Sequence, residues 1–274
     1  MNKTQLETFR GLVNQFDFDS NNNIKLSCLN KVLEDAMSFL SSLLDTTINA
    51  DISEGYLLNH SKTKAENFST IYVLSDLFQN EDNDLVIVKN LYLSKDINFD
   101  KDQLIFSKQY VLKKINLNEL SFINTKTQKG VFSAYKGIVK KEDCDQMAHM
   151  NVQFYFGKHS DAIKNLFNEI SSNLKQNVNF EIENERCIFS KEVHLNCALE
   201  IVLNLKSISK NKLILLSKVF CPNNKNVSAY FEITISLNIS ERIKEVINKI
   251  FISNNNTYLN ELEFKKLRPL EDNR

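Results

Sequence analysis

One stretch, residues 135–170, constrains the fold of this chain more than any other. It begins with a strand-like segment at 135–139 and continues through an acidic loop at 143–151. From Val152 onwards the apolar positions recur with the period of a helix, with His159 counted as half-apolar; they are 152, 155, 156, 159, 162, 163, 166, 167 and 170. The stretch therefore predicts a strand, a loop and a long amphipathic helix, and we expect a functional site in the loop.

The N-terminal residues 9–44 repeat this stretch at a constant shift of 126 positions and without a gap. The identical pairs are Gly11 and Gly137, Val13 and Val139, Asp17 and Asp143, Asp19 and Asp145, Asp35 and Asp161, Ala36 and Ala162, and Leu40 and Leu166. The apolar stripe of the helix also carries over, at 26, 29, 33, 36, 37, 40 and 44. Because strand, paired aspartates and helix phase agree, we interpret the repeat as an internal duplication.

The segments after each long helix have the pattern of antiparallel strands broken by polar turns. Predicted strands lie at 70–74, 85–93 and 103–112 in the first half, and at 180–182, 187–195, 199–207, 212–220 and 228–237 in the second. Residues 120–130 are a predicted linker, residues 240–251 a short helix, and residues 252–274 a strand or tail. The predicted fold class is α+β, with two units in which a curved antiparallel sheet wraps a long helix.

Composition narrows the classes of protein to which the chain can belong. Its 34 basic and 34 acidic residues cancel, so no overall charge favours nucleic acid or an anionic membrane. The five cysteines are widely spaced without a CxxC pair, and His60, His159 and His194 have no partner at ligand spacing, so we expect no metal site. No basic-then-apolar signal and no run of about 18 apolar residues is present, which predicts a cytoplasmic protein.

The motif D-C-D-Q-M-A-H-M-N-V-Q-F-Y at 143–155 resembles that of the hotdog-fold acyl-CoA thioesterases. It is most similar to the 4-hydroxybenzoyl-CoA thioesterase-like branch, whose motif is D-x-D-x-x-G-H-x-N-x-x-x-Y. The resemblance covers 135–237 closely and reaches the first half only through the repeat. It implies a tandem, double hotdog: a degenerate unit at 1–125 and a second at 131–274 form an intrachain pseudo-dimer, with acyl-CoA bound at the seam between them.

The resemblance also assigns site residues. The catalytic carboxylate of the family falls on Asp145, and the motif histidine, asparagine and tyrosine fall on His149, Asn151 and Tyr155. Ala148 stands where the family usually has glycine, which favours a different loop conformation. In the N-terminal copy, Asn22, Asn23 and Lys25 replace Ala148, His149 and Asn151, so we expect one principal site.

The residue types fit thioester hydrolysis. A carboxylate at Asp145 can act as general base for water or as nucleophile, and the N–H groups at the helix N-terminus can polarise the thioester carbonyl. Asp143 should share a face with Asp145 but have a structural task. His149 orders the loop, with substrate binding or proton transfer as the alternatives, and Asn151 caps the helix, with a contact to substrate as its second role. Tyr155 is a predicted core or pocket-wall residue, and Cys144 a packing residue, since two flanking carboxylates disfavour its thiolate.

The predicted function is therefore hydrolysis of an acyl-CoA to free acid and CoA without a cofactor. A serine hydrolase is disfavoured because the sequence has no GxSxG elbow. Two alternatives stay open: a non-catalytic acyl-CoA or fatty-acyl binding protein, and a hotdog enoyl-CoA hydratase or dehydratase. Candidate residues of the acyl pocket are Phe154, Phe156 and Leu29. The acyl group stays open, as does a homo-oligomer of pseudo-dimers.

Overall fold

The computed structural model describes residues 4–19, 23–43, 55–58, 68–81, 84–94, 102–112, 131–222 and 226–252. The strands are β1 Thr4–Leu12, β2 Gly55–Leu58, β3 Thr70–Gln79, β4 Leu85–Leu93, β5 Gln103–Leu112, β6 Phe132–Ile138, β7 Glu181–Phe189, β8 Ala198–Ile208, β9 Lys212–Cys221 and β10 Asn226–Ser236. The helices are α1 Leu26–Leu43, α2 Val152–Leu174 and α3 Glu241–Ile252. We call the elements up to β5 the N-terminal half and those from β6 onwards the C-terminal half.

All ten strands belong to one antiparallel sheet in the order β2-β5-β4-β3-β1-β6-β8-β9-β10-β7. Outward from the β1–β6 junction, both halves place their first, third, fourth, fifth and second strands in turn. The predicted α+β class with an antiparallel sheet is confirmed. The predicted linker at 120–130 and the tail at 253–274 lie outside the described residues.

Each long helix buries its apolar stripe on the sheet of its own half. In the C-terminal half, Ile163, Leu166 and Ile170 of α2 are fully buried against residues of β8, β9 and β10. In the N-terminal half, Leu29 and Leu33 of α1 pack in a smaller core with residues of β3, β4 and β5. These are the positions that the helical period predicts, since residues three and four apart share one face of a helix.

Each helix also contacts the opposite half. Phe39 of α1 packs with Ile138 and Ala198 of the C-terminal half. From α2, Asn165 accepts a hydrogen bond from the Thr70 hydroxyl of the N-terminal half at 2.7 Å. The Asn165 amide also donates to the Ala134 carbonyl at 2.8 Å, so one buried side chain joins β3 to β6. These reciprocal contacts fix the two halves beside one another.

The junction itself is polar. Arg10 of β1 and Lys136 of β6 are opposite one another in the sheet, which brings two like charges together. Glu7 binds both, with 2.6 Å to the Arg10 guanidinium and 3.4 Å to the Lys136 ammonium. Burial alone raises the pKa of Glu7, but the positive charges of Arg10 and Lys136 outweigh it and lower the pKa to about 2. Glu7 therefore offsets the repulsion between these two cations, together with the Glu200 carboxylate at 4.0 Å from the Lys136 ammonium.

Replacing Glu7 should weaken the folded state in a pH-dependent way. The pKa of Glu7 falls from its ordinary value of 4.5 to about 2 on folding, so its contribution is complete above pH 4.5 and declines as the pH falls towards 2. We expect Glu7→Gln to lower the free energy of unfolding by about 1–3 kcal/mol at neutral pH, with a shrinking difference in acid. Urea titrations of both proteins between pH 2 and neutral pH measure this difference in the free energy of unfolding.

Glu232→Gln is the matched control, because Glu232 forms a 2.8 Å pair with the exposed Lys206 away from the junction. Such a pair should contribute about 0.2–1 kcal/mol. A Glu7→Gln effect that is no larger than this, or that does not change with pH, would contradict the assigned role of Glu7.

Candidate active site

The loop between β6 and α2 carries the predicted site residues, and its backbone is tightly hydrogen-bonded. A 3-10 turn at Lys141–Asp143 opens it, and Cys144 then forms a bridge with Met150. The Asp145 amide donates to the His149 carbonyl at 2.9 Å, which closes a tight turn between them. Ala148 lies in that turn with a φ of 61°, the left-handed conformation that favours glycine. The alanine thus keeps a glycine-like backbone despite its side chain.

Asp145 is exposed at the tip of this loop. Its Oδ1 accepts hydrogen bonds from the amides of Met147 at 2.9 Å and His149 at 3.0 Å. These bonds fix the direction of the carboxylate without burying it. The side chain therefore combines the turn-shaping role that Asp often has before a helix with access to solvent.

Asp143, by contrast, is buried, with 6% of its surface exposed. Its Oδ2 accepts the Lys140 amide at 3.0 Å and pairs with the Lys158 ammonium of α2 at 2.8 Å. The expectation that both aspartates share one face is wrong, because Asp143 ends a 3-10 turn and the chain is not extended there. The expected structural task of Asp143 agrees with these contacts.

Lys158 is the residue of this region that the sequence analysis missed. It lies one turn beyond Phe154, and its ammonium also donates to the Tyr135 hydroxyl at 3.3 Å. Burial by itself disfavours the charged amine, but Tyr135 and Asp143 raise the pKa of Lys158 above its ordinary value. Burial also raises the pKa of Tyr135. A lone lysine beside an apolar stripe gives no sequence signal that it pairs with the loop.

His149 faces the segment that leads into β8. Its Nδ1 lies 3.3 Å from the Glu192 carboxylate, and its ring meets that of His194 edge-on at 4.6 Å. The Met150 amide donates to the Val193 carbonyl at 2.8 Å, so backbone bonds join the same two segments. These contacts fit the loop-ordering task expected for His149. Glu192 and His194 were not predicted as its partners, because they are distant in sequence.

Asn151 and Tyr155 begin α2. Asn151 occupies the N-cap position, but its side chain makes no capping hydrogen bond, so the expected capping contact is not formed. Its backbone amide donates to the Asp143 carbonyl at 2.9 Å. Tyr155 is buried beside Phe189, with ring centroids 5.2 Å apart. Burial raises the pKa of Tyr155 to about 12, so it stays a neutral phenol, as expected of a wall or core residue.

The candidate pocket residues do not lie together. Phe156 is 37% exposed and contacts Phe189 and Phe231, whereas Phe154 is partly buried against the C-terminal core. Leu29 lies in the core of the other half. A cavity of about 240 Å³ opens towards the other end of α2, with a lining of Phe132, Glu169, Asn173, Val246, Lys249 and Ile250.

The loop of the N-terminal half has the same backbone bonds at a shift of 126 residues. The Asp19 amide donates to the Asn23 carbonyl at 2.8 Å, and the Asn23 amide donates back to Asp19 Oδ1 at 2.9 Å. Asp17 Oδ2 likewise accepts the amide three residues earlier, at 2.7 Å. The conformation is thus shared, while the side chains that surround Asp145 are not.

The C-terminal loop also adjoins the opposite half. Lys140, at its start, pairs with Asp35 of α1 at 2.6 Å, and the Ser42 hydroxyl accepts the Ala198 amide at 3.4 Å. Among the described residues no group of three or more histidine, cysteine or acidic side chains is arranged to hold a metal ion. In the same part of the chain, no helix has the length and hydropathy needed to span a membrane.

Comparisons with known proteins give a fold and no sequence family. No protein-family model matches the chain, and no curated protein does. The structure is similar to an acyl-CoA hydrolase from Agrobacterium tumefaciens, with 10% identity over 86% of this chain and 95% of that chain, and a TM-score of 0.60.

Two further similar structures match about half of the chain. A Staphylococcus aureus protein in complex with CoA is 16% identical over 49% of this chain and 92% of its own, with a TM-score of 0.42. A Thermus thermophilus thioesterase complexed with coenzyme A and Zn is 13% identical over 45% of this chain and 96% of its own, with a TM-score of 0.37. The similarity to the hydrolase shows a shared, hotdog-like fold.

Removing Lys158 should destabilise the protein strongly. In Lys158→Met, Asp143 would stay buried without its partner, which typically costs about 3–5 kcal/mol. The double variant Asp143→Asn/Lys158→Met should be more stable than Lys158→Met alone, since it leaves no uncompensated charge. Urea denaturation of the wild type and these two variants measures both effects.

Lys206→Met makes the same side-chain change at an exposed ion pair, so its expected cost is about 0.2–1 kcal/mol. If Lys158→Met costs no more than this control, Lys158 does not anchor the loop.

Proposed function

We propose that this protein hydrolyses an acyl-CoA thioester to the free acid and CoA, with Asp145 as its catalytic carboxylate. The observation that carries the proposal is the placement of Asp145, exposed on a rigid loop just before α2 with one oxygen held by two backbone amides. The fold is shared with a protein named as an acyl-CoA hydrolase, which supports the same class of reaction here.

The chemistry can follow two routes from this geometry. As general base, the Asp145 carboxylate takes a proton from water; the resulting hydroxide adds to the thioester carbon, and collapse of the oxyanion expels the CoA thiolate. As nucleophile, Asp145 adds directly, expels the thiolate and forms a mixed anhydride that water then hydrolyses. In both routes the oxyanion would be stabilised by the N–H groups of Val152 and Gln153 at the start of α2. The next amide, that of Phe154, already donates to the Asn151 carbonyl at 2.9 Å.

The other site residues have supporting roles in this proposal. Asp143 and Lys158 position the loop, and His149 holds it against the segment before β8. Because the Asn151 side chain is not used for capping, it is available to bind substrate. Tyr155 and Phe156 supply part of the apolar wall.

We further propose that residues 1–125 and 131–274 are two hotdog units arranged as an intrachain pseudo-dimer. The strand order is the same outward from the junction in both halves, and the two loops share their backbone bonds. The similarity to the hydrolase covers 86% of the chain and so includes residues of both halves. The pair of Lys140 with Asp35 of α1 supports a substrate site at the seam.

Asp145→Asn should abolish most thioester hydrolysis. We expect a loss of about 10²- to 10⁴-fold in the release of free CoA thiol from a panel of acyl-CoAs, with CoA binding retained, because the amide neither accepts a proton nor attacks. Asp19→Asn makes the same change at the equivalent position of the N-terminal loop. This matched control should hydrolyse the thioesters like the wild type.

Two outcomes would contradict the proposal. Undiminished hydrolysis by Asp145→Asn would remove Asp145 from the mechanism. CoA or acyl-CoA binding by the wild type without thiol release from any thioester would instead support a non-catalytic binding protein.

A further inference from the structure

Two cysteines of the C-terminal half lie side by side next to the proposed catalytic loop. Cys221, at the end of β9, is buried, whereas Cys197, directly before β8, is partly exposed. The Cys221 thiol donates a hydrogen bond to the sulfur of Cys197. The proposed function uses neither of these thiols.

The pairing of β8 with β9 explains the contact between the two thiols. Glu200 lies opposite Phe220, so the antiparallel register continues with Leu199 beside Cys221. Cys197 is two residues before Leu199 and therefore points to the same side of the chain. That side belongs to the C-terminal core, in which Leu199 and Cys221 are buried and against which Cys197 packs. The cysteines are thus diagonal neighbours on adjacent segments of the sheet.

The two thiols differ in acidity. The hydrogen bond from the Cys221 thiol lowers the pKa of Cys197 to about 6 against the opposing effect of burial, and the His194 backbone lowers it further. The same hydrogen bond raises the pKa of Cys221, because that thiol is the donor, and burial adds to the effect. At neutral pH the pair therefore holds a thiolate at the partly exposed sulfur and a thiol at the buried one.

The other two cysteines of the C-terminal half have the opposite shift. Cys144 lies in the loop near Cys197, but burial and the charges of Asp143 and Asp145 raise its pKa. Burial likewise raises the pKa of Cys187 to about 12. Both are neutral thiols at neutral pH, which leaves Cys197 as the reactive cysteine of this half.

Cys197 ends the segment 193–197, whose backbone holds the proposed catalytic loop. The Leu195 amide of this segment donates to the Ala148 carbonyl of the loop at 2.9 Å. The Cys197 carbonyl accepts the Val139 amide, just before the loop, at 3.0 Å. A change in the position of Cys197 therefore acts directly on the hydrogen bonds that hold the loop.

We propose that Cys197 and Cys221 are a redox pair that a low-molecular-weight disulfide converts into an intrachain disulfide. The Cys197 thiolate attacks one sulfur of the small disulfide, so that a mixed disulfide forms and one small thiolate leaves. Cys221 then loses its proton to solvent and attacks the Cys197 sulfur, which expels the second small thiolate. The two cysteines are oxidised by two electrons, and the small disulfide is reduced to two thiols. This exchange is independent of thioester hydrolysis at Asp145.

Closing the disulfide should loosen the loop. Diagonal neighbours typically have α-carbons about 7–8 Å apart, whereas a disulfide favours about 5.5–6 Å. Cys197 therefore moves towards β9, and its carbonyl moves away from the Val139 amide. The effect on hydrolysis rests on the proposed function, in which Asp145 acts from this loop.

Treatment of the reduced full chain with oxidised glutathione, followed by peptide mass mapping in acid, tests the pair. We expect a pair of linked peptides that contain Cys197 and Cys221. Cys221→Ala should instead accumulate glutathione on Cys197, because no resolving thiol remains. Cys187→Ser removes another partly buried cysteine of the same half and, as the matched control, should form the linked pair like the wild type.

The pH dependence of alkylation by iodoacetamide tests which thiol is the nucleophile. The rate at Cys197 should be half-maximal near pH 6, as its pKa requires. At neutral pH it should exceed the rate at Cys187 at least about tenfold. Cys221→Ala removes the hydrogen bond, so the half-maximal pH should rise by at least about one unit. Failure to link Cys197 to Cys221, or equal rates at Cys197 and Cys187, would overturn the proposal.

Amide hydrogen exchange of the reduced and the oxidised wild type measures the effect on the loop. The amides of residues 145–151 should exchange at least about threefold faster in the oxidised form. Equal exchange in both forms would overturn the coupling between the disulfide and the loop. Asp145→Asn should form the disulfide like the wild type, so a failure of hydrolysis and a failure of the redox pair give different results.

Discussion

The antiparallel pairing of β1 with β6 is the interaction on which the rest of the structure depends. It joins two five-stranded sheets into one sheet of ten strands. It also brings the last turns of α1 and the middle of α2 into contact with the opposite half. The pairing brings Arg10 opposite Lys136, so its stability requires the carboxylate of Glu7. The contacts of Asn165 and Phe39 across the junction result from this placement.

The two acidic loops have the same backbone conformation but different surrounding side chains. Both close the same turn and both use their first aspartate to bind the amide three residues earlier. Lys158, however, corresponds to Val32 in the first copy, so only Asp143 has a buried counter-ion from the long helix. Shared hydrogen bonds preserve the conformation, while the few side chains around them decide whether a loop can support chemistry.

Elements with a strong local pattern were predicted well from the sequence. The start of α2 at Val152 and the bounds of β4 and β5 agree with the structure, because periodic burial marks them. The predicted strands at 180–182 and 187–195 are parts of one strand, β7, which spans Glu181–Phe189. The predicted break between them and the extension to 195 were wrong, because the segment after β7 is the loop that holds His149. β2 was not predicted. It is short, and its pairing with β5 is a long-range contact.

The sequence by itself determined the helices and the acidic loop, because each depends on residues close together in the chain. It also contains the repeat, because that is a direct match between two stretches 126 positions apart. Only the tertiary structure decided that Asp143 is buried against Lys158 while Asp145 is exposed, since a 3-10 turn rotates the two side chains apart. It also decided that Arg10 of β1 lies opposite Lys136 of β6. These two residues are far apart in the chain, and only the pairing of the two strands brings them together.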